Sequence, residues 1–496
     1  MSIFKLTVIE NEKSSTIEAD SAQTLLEALR RSDVEVHAPC GGNGTCKRCL
    51  VTVSGACRDL DGVIHYYDRD SVLACRCYPA GDLVVRVSTG TGAKVLSDAQ
   101  DIHPCGEGYG LAIDIGTTTV AAYLYDLATG KCLKKSGAMN AQRPYGGDVI
   151  SRIQYASQSD GLARLRDVIR KQLTAIAKTL CEDLTKIRYV SIAANTVMEH
   201  LFAGLSPESI GVAPFTPLSL FGAEEPASKY LSGFADDCKL YLCPAVAGYV
   251  GGDITAGLMS SGAYLCEETV LFIDIGTNGE MGLGNKDGFL CCATAAGPAF
   301  EGSEIECGSA ALDGAINAVA NDLSFTTIGG TEPKSICGSG LIDAVAALLK
   351  NEILDETGRM DEERYNFSDT VYLSGKDVRQ VQLAKAAIRA GIETLLERSG
   401  KTHADIDKVL IAGGFGAFMN VKSACAIGLL PPDLQEKTHH VGNSAGKGAS
   451  MALSAEGRAL LAEITEKCRY EELSSSPLFN DKYIEAMMFD EWEDVL

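Results

Sequence analysis

The sequence is poor in positive charge and in tryptophan, and it has no long hydrophobic run. It carries 44 Lys and Arg against 66 Asp and Glu, a formal net charge of −22, so contact with nucleic-acid phosphates or an anionic membrane would be opposed by repulsion. Long charge-free stretches such as 209–223 and 288–300 are too short for a membrane span and contain Pro or Gly. The first residues show no basic segment followed by an apolar run, so we expect no signal peptide. We therefore expect neither nucleic acid nor membrane as a partner.

Cysteine, by contrast, is abundant, with 18 residues in a chain of 496. Without a signal peptide the expected location is the cytoplasm, where disulfides are rare. Four cysteines near the N-terminus have the spacing of metal ligands, and most of the others stand among apolar residues and are predicted to be buried thiols. So many oxidisable thiols are typical of a protein from an anaerobe.

The N-terminal cysteines follow the pattern C-x5-C-x2-C, with a fourth cysteine further along the chain. Thiolates in one short glycine-rich loop, with a distant fourth ligand, are typical of a plant-type 2Fe–2S cluster. The fourth ligand is either Cys75 or Cys77, and we favour Cys75 because it directly follows an apolar strand. A zinc knuckle or free thiols are the alternatives. The predicted cluster ligands are Cys40, Cys46, Cys49 and Cys75.

A second feature is an internal repeat. The segment 111–120 recurs as 271–280, and both copies place Asp-Ile-Gly-Thr at the end of an apolar strand. In both copies the chain continues as a strand, a turn and a further strand, which predicts two three-stranded meanders. Two copies of one such unit indicate two similar α/β lobes.

The two Asp-Ile-Gly-Thr turns have residues that suit a nucleotide phosphate. Glycine lets backbone amides approach phosphate oxygens, and the neighbouring hydroxyl and amide groups add hydrogen bonds. A carboxylate at the end of an apolar strand is costly unless it meets a cation, and Mg²⁺ held through water is the expected one. One such turn also occurs in plain hairpins, but two with the same meander favour ATP binding. The predicted residues are Asp114, Gly116, Thr117 and Thr118 in the first turn, and Asp274, Gly276, Thr277 and Asn278 in the second.

Two further glycine elements carry less information on their own. The strand that ends at Gly413 and Gly414 predicts a flat backbone against adenine or ribose, with a close helix–strand contact as the alternative. The run 248–252 leads into a helix and places Asp253 before the second phosphate turn. Asp253 is predicted to orient the attacking water or the metal, and a helix N-cap is the equal alternative.

Hydrophobic periodicity divides the chain further. Residues 1–90 alternate as strands around a helix that starts near Ala22, with Ser21 as its predicted cap. Helices are predicted at 161–184, 341–354 and 378–397. The C-terminal segment around the single tryptophan, Trp492, is either a docking tail or a disordered end. The predicted domains are a 2Fe–2S domain at 1–90, a linker at 91–108, ATPase lobes at 109–270 and 271–455, and a C-terminal helix and acidic tail at 456–496.

The phosphate turns and the Gly413-Gly414 element resemble the acetate and sugar kinase, chaperone ATPase and actin superfamily. With the N-terminal cysteine motif added, nearly the whole chain resembles a reductive activator of corrinoid proteins. The resemblance implies an α/β fold of two actin-like ATPase lobes with duplicated three-stranded meanders and helices, preceded by a small α+β ferredoxin-like β-grasp domain. A domain that some relatives insert between the cluster domain and the first lobe is absent here. Further motifs of the same resemblance begin at Asn195, Tyr249, Ile336 and Phe415.

The resemblance also implies a function, which is ATP-dependent electron transfer from the 2Fe–2S cluster to the Co(II) corrinoid of a methyltransferase partner, restoring Co(I). The implied cofactors are the cluster, ATP and Mg²⁺, the implied partners are the corrinoid protein and a low-potential electron donor, and the implied assembly is a homodimer. A plant-type cluster lies near roughly −400 mV and the Co(II)/Co(I) couple lies lower, so the electron moves uphill. Each difference of about 59 mV between the two potentials lowers the equilibrium constant for transfer of one electron about tenfold. ATP can offset this only by favouring one conformation over another. We expect the corrinoid to reside on the partner.

Three alternatives belong to other classes. A small-molecule kinase with a redox domain requires a sugar or acyl pocket with a general base. An activator of a radical dehydratase joins an actin-like ATPase to a 4Fe–4S cluster, for which Cys307 and Cys337 are the candidate ligands. The third is a non-enzymatic, redox-responsive protein whose nucleotide site senses ATP without turnover.

Overall fold

The chain forms two compact units. One comprises Met1–Gly92 and Met139–Ile169, and the other Ala93–Ala138 and Arg170–Leu496. In the described part of the chain, no helix is both long and apolar enough to cross a membrane. The predicted tail at Trp492 and the predicted linker residues 91–99 lie outside the described residues. The computed structural model describes residues 2–10, 13–32, 34, 36, 38, 42, 44, 47, 49–87 and 100–489.

The first unit contains a five-stranded sheet in the order β2-β1-β5-β3-β4, with β1 and β5 parallel. Alternate residues of its strands, such as Leu6, Val8 and Leu83, are buried in one core with the apolar face of a short helix. A small mixed sheet with one helix confirms the α+β form predicted for this domain. Its elements are β1 (Ile3–Glu10), β2 (Lys13–Asp20), α1 (Leu25–Arg31), β3 (Leu50–Arg58), β4 (Ile64–Leu73) and β5 (Tyr78–Val87).

The cap predicted for α1 is wrong. The helix begins at Leu25 and not at Ala22, and its N-cap is Thr24 instead of Ser21. Thr24 Oγ1 accepts from the Glu27 amide at 3.2 Å, and Glu27 Oε2 accepts from the Thr24 amide at 2.8 Å. This reciprocal pair satisfies two helix-end donors, whereas Ser21 lies in the preceding turn and has no glutamate three residues later.

The next part of the chain builds a six-stranded sheet in the order β10-β11-β9-β6-β7-β8. Strand β6 pairs antiparallel with β7 and parallel with β9. The elements are β6 (Tyr109–Ile115), β7 (Thr119–Asp126), β8 (Cys132–Met139), α2 (Val149–Ala156), α3 (Gly161–Leu180), β9 (Ile187–Ala194), α4 (Thr196–Ala203), β10 (Glu224–Pro226), β11 (Lys239–Leu242) and α5 (Gly252–Ser260).

The remaining chain builds a second six-stranded sheet, in the order β21-β20-β12-β13-β14-β22, with two smaller sheets. Strand β12 pairs antiparallel with β13 and parallel with β20. The elements are β12 (Val270–Ile275), β13 (Gly279–Asn285), β14 (Gly288–Thr294), β15 (Ala315–Val319), β16 (Phe325–Thr327), β17 (Ser335–Ile336), α6 (Gly338–Lys350), β18 (Arg364–Asn366), β19 (Tyr372–Ser374), α7 (Gly375–Ser399), β20 (Lys408–Ala412), α8 (Val421–Ala426), β21 (Thr438–Gly442), α9 (Ser444–Met451), α10 (Ala455–Lys467), β22 (Cys468–Tyr470) and α11 (Pro477–Glu485).

The two large sheets have the same plan, which confirms the predicted duplication. Each contains an antiparallel meander, β6-β7-β8 or β12-β13-β14, whose first strand also has a parallel neighbour. Helices α5 and α9 pack in a core that residues of both sheets share. Their close approach requires Gly448, since a Cβ there would lie 2.2 Å from the Ala256 carbonyl oxygen.

Three predicted helices are present with shifted ends. The helix predicted at 161–184 ends earlier, at Leu180, before a separate turn of 3₁₀ helix at Leu184–Lys186. The helices predicted at 341–354 and 378–397 are α6 and α7. Helix α7 starts where Ser374 and Asp377 form a capping box. This box lies just outside the apolar pattern from which the helix was predicted.

Candidate functional site

The two repeated aspartates occupy equivalent positions in the two sheets. Asp114 is the second-to-last residue of β6 and pairs with Ala193 of the parallel strand β9. Asp274 is the second-to-last residue of β12 and pairs with Ala412 of β20. Both are half-buried, although the residues on either side of each are buried. In each sheet, a strand that is apolar on both faces thus places one carboxyl group at the phosphate turn that follows it.

A single carboxylate joins the two predicted phosphate turns. Glu301 Oε2 accepts from the Thr118 hydroxyl at 2.5 Å, and Glu301 Oε1 accepts from the Thr277 hydroxyl at 3.0 Å. The first threonine belongs to the turn after β6 and the second to the turn after β12. The structure therefore brings the two turns together around one side chain, which the sequence pattern did not single out.

Two asparagines hold the first turn in place. Asn443 Nδ2 donates to Asp114 Oδ2 at 2.8 Å and caps α9, and Asn195 Nδ2 donates to Thr117 Oγ1 at 3.1 Å. Asn195 Oδ1 also accepts from the Met198 amide at 3.0 Å and so caps α4. Each amide side chain thus fixes a helix start and a turn residue at once.

Asp253 completes a group of acids with Asp114 and Asp274. It is not the N-cap of α5, because Gly251 holds that position and Asp253 lies in the first turn, where its Oδ1 accepts from the Ile254 amide at 2.9 Å. Burial and the negative charges of Asp274 and Asp114 raise its pKa to about 8. The alternative of a simple N-cap is therefore wrong.

Burial also raises the pKa values of the other two aspartates. Burial raises the pKa of Asp114 to about 6, against the opposing effect of the hydrogen bond from Asn443. Burial, then the charges of Asp114 and Glu301, raises the pKa of Asp274 to about 7. Carboxyl groups that repel one another in this way are the groups that a cation would stabilise.

Two buried glutamates extend the acidic group, and the sequence analysis missed both. Glu199 of α4 is fully buried and Glu280 of β13 is 6% exposed. Neither Glu199 carboxyl oxygen has a hydrogen-bond partner, and Glu280 Oε1 has none. Burial raises both pKa values, with added repulsion from Asp253. Glu280 follows the second phosphate turn, but the first copy of the repeat has Val120 in its place, so the repeat carried no signal for it.

The acids are not arranged as a direct metal cage. Among the residues that the structure describes, no group of three His, Cys, Asp or Glu side chains is placed to hold a metal ion. Mg²⁺ bound by phosphate oxygens and water, with carboxylates accepting from that water, requires no such cage. The half-buried aspartates fit that arrangement in charge and position.

The third glycine element lies against the second aspartate. Gly413 follows β20 with φ +93°, and a Cβ there would lie 2.6 Å from Asp274 Oδ1. Gly414 is exposed, and a Cβ there would meet no atom within 4 Å. Gly413 is therefore needed for the close approach of two strand ends, while Gly414 borders open space.

The raised pKa values predict an unusual dependence of stability on pH. In the unfolded chain these acids have the ordinary aspartate pKa of about 3.9. In the fold, the pKa values of Asp114, Asp274 and Asp253 are raised to about 6, 7 and 8. The fold binds more protons between about pH 4 and 8, so its free energy of unfolding falls as pH rises through that window. We expect the nucleotide-free protein to melt on the order of 5 °C lower at pH 8 than at pH 6.

Calorimetry with and without MgCl₂ checks this prediction. Asp274→Asn should reduce the difference in melting temperature between pH 6 and pH 8, because it removes one buried charge. Asp237→Asn, at a position whose side chain is 71% exposed, is the matched control and should leave the difference unchanged. A melting temperature that rises from pH 6 to pH 8 would contradict the assignment of the raised pKa values.

The cysteine site lies in the first unit. Cys49 Sγ is 3.2 Å from Cys75 Sγ, and both residues are buried. Two sulfurs this close are compatible with ligation of one iron, so these residues fit a 2Fe–2S cluster. Cys77 instead lies beside Cys57, whose hydrogen bond lowers the pKa of Cys77. The predicted ligands Cys40 and Cys46 lie outside the described residues.

Two glycines of the cysteine loop adopt the left-handed backbone conformation that favours glycine. Gly42 and Gly44 have φ values of +108° and +77°. A Cβ at Gly44 would lie 2.6 Å from Arg76 Nε, and Arg76 Nη2 donates to the Gly44 carbonyl at 3.3 Å. Arg76 directly follows Cys75, so it ties the loop to the turn of 3₁₀ helix, Ala74–Arg76, that carries the fourth predicted ligand.

Two other motifs have ordinary structural roles. A corrinoid that resides on the partner predicts no corrinoid-binding Asp-x-His-x-x-Gly spacing in this chain. That prediction is wrong, because the spacing occurs at 101–106. Asp101 accepts from the Cys132 amide at 3.0 Å, so this segment pairs with the turn after β7 and precedes a strand. Cys307 and Cys337, the candidate ligands of a radical dehydratase activator, each donate to a backbone carbonyl.

Three family models match successive parts of the chain. Residues 8–80 match the 2Fe-2S iron-sulfur cluster binding domain, residues 109–265 the RACo middle region, and residues 268–495 the C-terminal domain of RACo, the ASKHA domain. The first match supports a 2Fe–2S cluster in the unit with the cysteine pair. The third supports ATP binding in the lobes that carry the duplicated turns.

Individual relatives agree with the family models. The corrinoid activation enzyme RamQ of Eubacterium limosum is 34% identical over 423 residues, covering 77% of this chain and 70% of the relative. The [Co(II) methylated amine-specific corrinoid protein] reductase of Methanosarcina barkeri is 25% identical over 416 residues, covering 76% of each. The solved structure of a reductive activator for corrinoid, iron-sulfur protein superposes with a TM-score of 0.71 at 31% identity and covers 98% of both chains. The chain therefore belongs to the family of reductive activators of corrinoid proteins.

Proposed function

We propose that this chain is an ATP-hydrolysing iron–sulfur enzyme that passes an electron from a 2Fe–2S cluster to the Co(II) corrinoid of a partner protein and restores Co(I). One observation carries the proposal. A single chain combines buried cysteine sulfurs 3.2 Å apart with two phosphate turns that share the carboxylate of Glu301. The names of the relatives and the order of the three family models along this chain support the same function.

The cysteine loop provides the ligands in this proposal. A 2Fe–2S cluster bound in this loop would carry one electron at a time. Cys49 and Cys75, whose sulfurs are neighbours, would hold the cluster together with Cys40 and Cys46. A low-potential donor protein reduces this unit, and the corrinoid protein of a methyltransferase system is the acceptor.

The duplicated turns provide the nucleotide site. Gly116, Thr117 and Thr118 from one turn and Gly276, Thr277 and Asn278 from the other contact the phosphates through backbone amides and side chains. Gly413 and Gly414 border the adenosine. Asp114 and Asp274 would hold Mg²⁺ through its bound water, and Asp253 would orient the attacking water.

Glu301 gives the nucleotide site two arrangements. In the structure its carboxylate accepts from both Thr118 and Thr277. A phosphate that enters the turns competes for the same two hydroxyls and repels the carboxylate. Nucleotide binding therefore exchanges one bridge between the lobes for another, and such a change can alter how the protein holds the corrinoid protein while the cluster passes the electron. We propose that a homodimer carries two such sites.

The test mixes the purified protein with a low-potential reductant, ATP, Mg²⁺ and a Co(II) corrinoid protein. Two substrates should be compared, a methylated amine-specific corrinoid protein and a corrinoid iron–sulfur protein, which the names of the relatives specify. The visible spectrum should show Co(I) with at least one of them, and only when ATP is present. Equal Co(I) formation without ATP, or none with either protein, would refute the proposal.

A further inference from the structure

The loop 209–223 is an exposed apolar surface without a single charged residue, on a chain with a net charge of −22. Val212 is 60% exposed, Leu218 62% and Leu220 46%. Several exposed large apolar side chains in one charge-free loop are typical of an interaction site. Depletion of charge is also typical of the core of a protein–protein interface.

The loop is held in one conformation although it lies on the surface. Tyr249 donates its hydroxyl hydrogen to the Ile210 carbonyl at 2.8 Å, and its ring lies 5.7 Å from that of Phe215. Phe215 has a φ of +60°, which is costly for a residue with a side chain and persists only where neighbours enforce it. A Cβ at Gly248 would lie 2.4 Å from the Phe215 carbonyl oxygen, so this contact requires glycine.

The second anchor of the loop is the fully buried His200 of α4. Its Nδ1 lies 2.7 Å from the Thr196 carbonyl oxygen and must donate, so Nε2 is free to accept. Nε2 accepts from the amides of Leu218 at 3.1 Å and Ser219 at 3.4 Å. Burial lowers the pKa of His200, which keeps the ring neutral and Nε2 an acceptor.

Both anchors lead directly to the nucleotide site. The helix that carries His200 is capped by Asn195, whose amide donates to Thr117 of the first phosphate turn. The segment that carries Tyr249 continues within four residues to Asp253. A displacement of the phosphate turn is therefore transmitted to the loop through α4, and a displacement of the acids through the segment from Tyr249 to Asp253.

We propose that loop 209–223 docks the corrinoid-carrying partner protein and that α4 couples this docking to the nucleotide. The inference rests on the proposed function, which requires two protein partners. The electron donor has only to reach the cluster unit, whereas the corrinoid protein must be held differently as ATP is used. Coupling between two binding sites is reciprocal. The partner whose affinity depends on ATP is therefore the one that we expect to bind a loop anchored at the ATP site.

The decisive variant is Val212→Ser with Leu218→Ser, which removes apolar surface and leaves the backbone contacts of the loop intact. Its matched control is Leu265→Ser, at a residue that is 67% exposed outside the loop. Affinity for the two Co(II) corrinoid proteins named above is measured by calorimetry, with and without a non-hydrolysable ATP analogue. We expect at least tenfold weaker binding for the loop variant and no change for the control. Basal ATP hydrolysis should be unchanged in both.

The coupling is tested with His200→Ala. For the wild type we expect different partner affinities with and without the ATP analogue, and for the variant a ratio near one. Where this buried change prevents folding, Asn195→Ser, which retains a capping oxygen but cannot donate an amide hydrogen to Thr117, replaces it. The docking surface would be overturned if the loop variant bound the partner with an affinity within twofold of the wild type. It would also be overturned if the variant kept its affinity for the partner and instead lost binding to lipid vesicles or self-association. If the wild type binds a corrinoid protein but forms no Co(I), the proposed function fails and the loop result still stands.

Discussion

Replacing Asp114 by Asn is expected to lower ATP-dependent Co(I) formation by roughly 10²–10³-fold, the scale on which one preorganised electrostatic group contributes. The amide keeps the size of the side chain and can still accept from Asn443, so the turn should stay in place. What disappears is the negative charge that attracts a cation to the ends of β6 and β12. Hydrolysis of ATP, followed as phosphate release, should fall by the same factor.

Two measurements separate this loss from a loss of folding. Because burial raises the pKa of Asp114 to about 6, the neutral amide removes an unfavourable charge at pH 8, and the variant should melt no lower than the wild type there. Asp237→Asn should keep full activity. Full Co(I) formation by the Asp114 variant would mean that ATP use does not depend on this carboxyl group.

The duplicated turns were predictable because they are local. Each is a short segment in which an apolar strand, a glycine and hydroxyl side chains follow one another, so Asp114 and Asp274 could be read from sequence. Their equivalent positions in the two sheets followed from the repeat, since two copies of one unit place equivalent residues at equivalent strand ends. Gly413 was found for the same reason, as a glycine at the end of an apolar strand.

The residues that the sequence analysis missed are those with no local signal. Glu301 lies in a short 3₁₀ helix, and Asn443 lies far along the chain from the aspartate that it contacts. Glu199 stands in an apolar helix, where a single acid is usually a surface residue, yet it is fully buried. Only the packing of α4 and α5 shows this, since a Cβ on Gly252 would lie 2.6 Å from Glu199 Oε1. Helix ends were also shifted, because caps such as Thr24 lie outside the apolar pattern.

Replacing Cys49 or Cys75 by Ser is expected to abolish the paramagnetic signal of a reduced 2Fe–2S cluster and to reduce Co(I) formation to background. The two sulfurs are 3.2 Å apart and buried, and loss of either removes one of the four thiolates that a 2Fe–2S cluster requires. ATP hydrolysis without the partner should stay within about twofold of the wild type, because the nucleotide turns belong to the other unit. Iron and sulfide analysis, EPR of the dithionite-reduced protein and phosphate release check the three parts of this prediction.

Cys77→Ser is the matched control, because it changes the cysteine nearest in sequence to Cys75. In the structure Cys77 interacts with Cys57 in the same small core, so the substitution should cost some stability and leave the EPR signal in place. A cluster that survives Cys75→Ser and disappears in Cys77→Ser would reverse the assignment of the fourth ligand. Such a result would also require the segment after β4 to turn its other face to the cysteine loop, since Arg76 now ties that loop to the position next to Cys75.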